Sequence, residues 1–156
     1  AKRMGITPPI ENTPALALGA FEVRVLDMAV AYASIANGGY AVWPYAIQEI
    51  YTKDGYQLYM REPDEPNRII VDYAAEEMTE MLENVINSGT GKRARLPFFA
   101  AGKTGTSQNN RDAWFVGFTD NYVAAVWVGN DDNSPMKGIG GSGLPAEIWK
   151  KIMLVK

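Results

Sequence analysis

Residues 100–118 read AAGKTGTSQNNRDAWFVGF. Lys103 is followed by Thr104, Gly105 and Thr106, and the turn formers Ser107 to Asn110 separate it from an apolar segment that starts at Ala113. Gly102-Lys103-Thr104 matches the end of a phosphate-binding P-loop, which requires glycine at 97 and a helix directly after the lysine. Position 97 is Pro97, and GTSQNNRD is turn material. A P-loop is therefore rejected. The plain alternative is a solvated lysine on an edge strand, with glycines that permit twist.

The rest of the chain narrows the chemistry further. It has 156 residues, 47% of them hydrophobic, and a formal net charge of −3. That is enough apolar material for the core of one domain, or of a large part of one. No basic stripe offers itself to nucleic acid. Cysteine and histidine are both absent, which excludes a thiol nucleophile, a zinc finger and a Ser-His-Asp triad. A general base must come from Lys, Asp, Glu or Tyr. No apolar run reaches the ~18 residues of a membrane span. The opening AKRMGITPPIENTP lacks the apolar stretch of a signal peptide.

Periodicity predicts an α+β chain. Thr13-Pro14 makes a helix start, with a capping hydroxyl and proline in the first turn. VRVLDMAVAYASIANGG predicts a helix ending at Gly38-Gly39, so apolar all round that burial on most sides is expected. Two β-rich runs around Lys53-Asp54-Gly55 predict a hairpin. DYAAEEMTEMLENVINSG predicts a helix capped by Asp72, with Glu76 and Glu77 in its first turn and Met78, Met81, Leu82 and Val85 on its apolar face. LPFFAAGKTGTS reads as a strand. DAWFVGFT and YVAAVWVGN read as two central strands of a covered sheet, joined at Asp120-Asn121. LPAEIWKKIM is a closing helix. Trp114, Trp127 and Trp149 are expected in the core, and Arg111 with Asp112 as a strand-end ion pair.

A third reading of the lysine is the Lys-Thr-Gly element of serine acyl-transfer enzymes that act on penicillin-like substrates. The residue types suit it. An ammonium supplies positive field for a carboxylate-ended substrate. Gly105 leaves room for a ligand against the strand. Strand alternation puts Thr104 and Thr106 on one side, as two hydroxyls for one carboxylate, and the Thr106 N–H is a candidate oxyanion donor.

AGKTGTSQNNRDAWFVGFTDNYVAAVWVGNDDN resembles the Lys-Thr-Gly region of class A penicillin-binding proteins. MGI, LALGAFEV, AYASIANGG and GGSGLPAEIWKKIM resemble further pieces of that family, in its order, over nearly the whole chain. The resemblance implies a β-lactamase/transpeptidase-like fold, an antiparallel sheet between helical layers. This chain would supply its later helices, a hairpin, three sheet strands and the C-terminal helix. It implies a peptidoglycan D,D-transpeptidase and β-lactam target. Lys103 and Thr106 would be catalytic, and Thr104, Gly105, Thr106 and Ser107 would bind substrate. No cofactor or metal is implied. The implied partners are peptidoglycan stem peptides and β-lactams, with a membrane anchor elsewhere in the full protein and a location on the outer face of the bacterial inner membrane.

The family also uses Ser-x-x-Lys, which carries the nucleophile, and Ser-x-Asn, both ahead of Lys-Thr-Gly. Ser134-Pro135-Met136-Lys137 fits the first literally, but lies after Lys103 among loop formers. Ser107-Gln108-Asn109 fits the second, but abuts the strand it should face. Both are rejected. Residues 1–156 are thus expected to be the C-terminal part of one transpeptidase domain, completed by an N-terminal part of the same domain that carries the serine. A β-lactamase or D,D-carboxypeptidase of the same fold, and a non-catalytic penicillin sensor, are the alternatives.

Overall fold

The computed structural model describes residues 1–7, 9, 13–19 and 21–155. Ala20, within the LALGAFEV stretch, lies outside the described residues. The chain runs through helix α1 (Val25–Ala36), strands β1 (Glu49–Tyr51) and β2 (Gln57–Met60), helix α2 (Asp72–Asn87), strands β3 (Ala101–Thr106), β4 (Asp112–Phe118) and β5 (Val123–Gly129), and helix α3 (Leu144–Leu154). Short 3₁₀ turns at Pro14–Leu18 and Lys92–Ala94 join the larger elements. β1 and β2 form the expected antiparallel hairpin. β3, β4 and β5 form an antiparallel sheet in that order.

Side-chain alternation divides the sheet between two cores. On one face Phe115 and Val126 pack with Trp149 and Met153 of α3, Ile86 of α2 and Ala94 of the 3₁₀ turn. On the other, Ala101 and Phe118 pack with Ile35 of α1 and Leu82 of α2. The sheet therefore lies between helical layers, as expected of the α+β fold. Trp149 fixes α3 to the sheet. Its ring is fully buried, stands 5.1 Å from Phe115 and donates from Nε1 to the Gly117 carbonyl at 3.2 Å.

Gly102 and Gly117 face each other across β3 and β4. A Cβ at either position would come within about 3 Å of the Phe115 ring and of the other strand's backbone. The pair thus leaves space for Phe115, which in turn carries Trp149. Glycine stands here because the strands and a ring meet, whereas a strand interior ordinarily disfavours it.

Several expectations are corrected. Leu26 of α1 is 60% exposed and Val25 also faces outward, because only the side bearing Val30, Ala31 and Ile35 meets the sheet and α2. Val71 caps α2, and Asp72 is its first helical residue, paired with Arg68 at 2.5 Å. Glu76 and Glu77 consequently fall in the second turn. The buried stripe of α2 is Ala75, Leu82 and Ile86, while Met78 and Met81 are exposed. The strand expected from Leu96 starts only at Ala101. β4 is central, but β5 pairs on one side only among the described residues. Trp127 on β5 is exposed and its cross-strand partner Trp114 on central β4 is half-buried, so of the three tryptophans expected in the core only Trp149 lies there. Trp127 Nε1 donates to Asp112, and Arg111 donates to the Asn133 carbonyl, so the expected Arg111–Asp112 ion pair does not form.

At the other end, buried Asp27 ties the N-terminal segment to α1. Its carboxylate accepts from the Thr7 N–H at 3.0 Å and from the Thr7 hydroxyl at 2.8 Å. The amide bond, first among the causes, holds the Asp27 pKa below its ordinary value against the opposing effect of burial; the Thr7 hydroxyl and Arg24 add to the lowering.

Candidate active site

β3 has β4 on one side and no strand on the other among the described residues. The hydrogen-bond phase of the pair decides which amides face outward. Ser107 N–H donates to the Asp112 carbonyl at 3.0 Å. Antiparallel pairs alternate between bonded and non-bonded, so Gly105 and Lys103 also turn their backbone groups toward β4. Thr104 and Thr106 turn theirs to the open edge. In agreement, the Lys103 ammonium curls over that edge and donates to the Thr104 carbonyl at 2.9 Å.

Lys103 and Thr106 are exposed, and Thr104 and Gly105 are half-buried. The two threonines share one sheet face with Phe115, and Lys103 and Gly105 share the other with Trp114 and Val116. The strand edge thus gathers an ammonium, two hydroxyls and an outward amide. It can hold an anion and polarise an adjacent carbonyl. Among the described residues it offers no cysteine, histidine or metal-binding cluster.

Both hydroxyls already have neighbours that sequence reasoning missed. Thr104 Oγ1 lies 2.8 Å from Thr90 Oγ1, on the turn after α2. Thr106 Oγ1 accepts from the Gly141 N–H at 3.0 Å. Gly141 is buried against β3 and β4, where a Cβ would strike the Gly105 and Trp114 carbonyls. Thr90 is 14 positions and Gly141 35 positions from its partner, too far for local pattern to reveal.

Ser107 takes a different place. Its hydroxyl accepts from the Asp112 N–H at 2.8 Å and closes the β3–β4 turn. Ser134 sits in a loop, its oxygens bonded by the Asn130 amide, with no helix to carry Lys137 one turn on. Thr104 lies within a strand where a P-loop needs a helix start. A cleft of about 700 Å³ bounded by Tyr40, Trp43, Tyr45, Arg61 and Asp64 includes none of the β3 residues. The candidate chemistry is on a strand edge, and the cleft is separate from it.

Comparison with known proteins shows the family and the fold. A family model described as the penicillin binding protein transpeptidase domain matches residues 6–154. Penicillin-binding protein 1B of Escherichia coli is 37% identical over 137 residues, 86% of this chain and 16% of that protein. Penicillin-binding protein 2D of Bacillus subtilis is 35% identical, over 98% of this chain and 23% of its own length. The chain therefore spans about a fifth of the curated relatives it matches. Among solved structures, Mycobacterium tuberculosis PonA1 in complex with penicillin V superposes with a TM-score of 0.85 at 30% identity, covering 97% of this chain and 46% of that one. Penicillin-binding protein 1A of Haemophilus influenzae superposes with a TM-score of 0.86 at 26% identity, covering 99% and 30%. With a family match from residue 6 to residue 154 and the Lys-Thr-Gly strand in place, the chain belongs to the transpeptidase domain family of penicillin-binding proteins.

Proposed function

We propose that this chain is the Lys-Thr-Gly-bearing part of a serine D,D-transpeptidase that cross-links peptidoglycan stem peptides and is acylated by β-lactams. The carrying observation is the open edge of β3, where the Lys103 ammonium, two threonine hydroxyls and the outward Thr106 amide stand together. The penicillin V bound to PonA1, a relative by fold and sequence, supports the same ligand class here.

In this reading the nucleophilic serine comes from an N-terminal part of the same domain, expected within a protein several times longer than this chain. The serine oxygen attacks the penultimate D-Ala carbonyl, and its proton passes through a base to the departing D-Ala amine. The acyl group is then taken by an amine of a neighbouring stem peptide, which restores the serine. Thr106 N–H donates to the oxygen that becomes anionic. The Thr104 and Thr106 hydroxyls donate to the terminal carboxylate, and Lys103 supplies the surrounding positive field. Gly105 keeps the strand surface low beside the ligand, and Ser107 closes the strand end. The domain works outside the bacterial inner membrane, with an anchor elsewhere in the protein.

The test is acylation of the whole protein by a fluorescent penicillin. Thr106→Val removes a hydrogen bond to a charged group and should slow acylation by a factor matching about 1.5–3 kcal/mol. Lys103→Ala should slow it further. Wild-type rates in both variants would remove the β3 edge from the site.

A further inference from the structure

We propose that Thr90 is a positioning residue of the anion subsite, through its hydrogen bond to Thr104. The inference rests on the reading of Thr104 and Thr106 as carboxylate donors and adds what makes them donors.

A threonine hydroxyl carries one proton and two acceptor lone pairs. Left alone it rotates, and beside a neighbouring carbonyl it spends its proton there. At Thr106 the Gly141 N–H already occupies an acceptor position at 3.0 Å. A backbone N–H can only donate, so the Thr106 proton is directed elsewhere, and the open edge is available to it. At Thr104 the partner is another hydroxyl, 2.8 Å away, and either oxygen can be the donor. An anion on the β3 edge decides between them. Thr104 must give its proton to the anion, so Thr90 must give its proton to Thr104. The chain of donors then runs from Thr90 to Thr104 to the carboxylate. Aligned hydroxyl chains of this kind polarise one another and strengthen the terminal bond.

The placement of Thr90 is also not left to a free loop. Gly91, the next residue, is buried, and its N–H donates to the Val85 carbonyl at 2.9 Å, folding the turn back on the end of α2. A Cβ at Gly91 would meet Val85 at 3.1 Å and the Phe115 ring at 3.4 Å, so the turn rests on the same ring that β3 and α3 share. Thr90 itself is exposed, so loss of its hydroxyl is expected to leave the fold intact.

The experiment uses the whole protein and the second-order rate of acylation by benzylpenicillin, with a thermal melt of each variant as a folding control. Thr90→Val, which keeps the shape and removes the hydroxyl, should slow acylation about 3- to 10-fold with an unchanged melt. Thr90→Ser should restore the wild-type rate. In a Thr104→Val background, Thr90→Val should have no further effect, because the relay has lost its second member. A wild-type rate in Thr90→Val, or an equal loss with and without the Thr104 hydroxyl, overturns the proposal. If Thr104→Val and Thr106→Val both acylate normally, the carboxylate reading itself fails, which is a different result from failure at Thr90 alone.

Discussion

Replacing Gly102 by alanine tests whether the small residue ahead of Lys103 serves packing. In an open strand the change would stabilise by up to about 1 kcal/mol, since alanine has less unfolded-state entropy to lose. Here the new Cβ would stand 2.8 Å from the Val116 carbonyl oxygen, 3.0 Å from Gly117 Cα and 3.0 Å from the Phe115 ring. The first two are backbone atoms of β4 and cannot rotate away. Relief requires β3 to separate from β4 or Phe115 to press on Trp149. Overpacking of this kind costs about 1–3 kcal/mol, which the entropy gain offsets only in part, so the net expectation is a loss of up to about 2 kcal/mol. That lowers the Tm by up to about 8 °C. Gly105→Ala is the control. Its Cβ meets only Trp114 side-chain atoms, the nearest at 3.2 Å, and should cost less. The assay is a thermal melt of the whole protein followed by near-ultraviolet circular dichroism, which reports the packing of the aromatic side chains, Trp149 among them. Adding Phe115→Leu should return part of the loss, because the two changes share one space. A Tm for Gly102→Ala at or above wild type would refute the packing argument.

Other outcomes follow from contacts already described. Trp149→Phe keeps an aromatic ring against Phe115 but leaves the Gly117 carbonyl without its indole donor, so urea denaturation should show a loss of about 1–3 kcal/mol. Arg93→Ala breaks the 2.6 Å pair with Glu147, but both side chains are exposed, and the same assay should register less than about 1 kcal/mol. Asp27 has a folded-state pKa below the unfolded value, so its contribution is complete above about pH 4 and disappears as pH falls through the lower folded value. The protection factor of the Thr7 amide, its exchange measured against the intrinsic rate at each pH, should therefore fall in the wild type as pH drops through that lower folded value. In Asp27→Asn it should be reduced already at neutral pH, with little further dependence on acid.

Much of the fold was legible because each element carries its own local signal. Gly38 and Gly39 end α1, Lys53-Asp54-Gly55 turns the hairpin, and the apolar runs on either side of Asp120-Asn121 pair as β4 and β5. What failed was phase and exposure. Met78 and Met81 fit a helical stripe as well as Ala75 and Ile86 do, and only the position of the sheet chooses between them. Trp127 reads as core until the sheet face it shares with half-buried Trp114 and exposed Lys103 is seen to leave it uncovered. The β3 residues of the candidate site were legible as a motif, because Lys-Thr-Gly is contiguous. Thr90 and Gly141 were not, because their relation to the strand exists only after α2 and α3 have docked.

The alternation along β3 has a consequence for what this edge can recognise. Its cation originates on one side of the sheet and its hydroxyls on the other, so the edge resembles a ridge more than a floor. A ligand that lies flat against either side meets half of the groups. Only one that straddles the ridge, with its anion toward the hydroxyls and its body crossing the ammonium, engages all of them. On the proposed reading of this edge as the acyl-donor site, the period of two of an ordinary strand favours an elongated ligand over a small free anion.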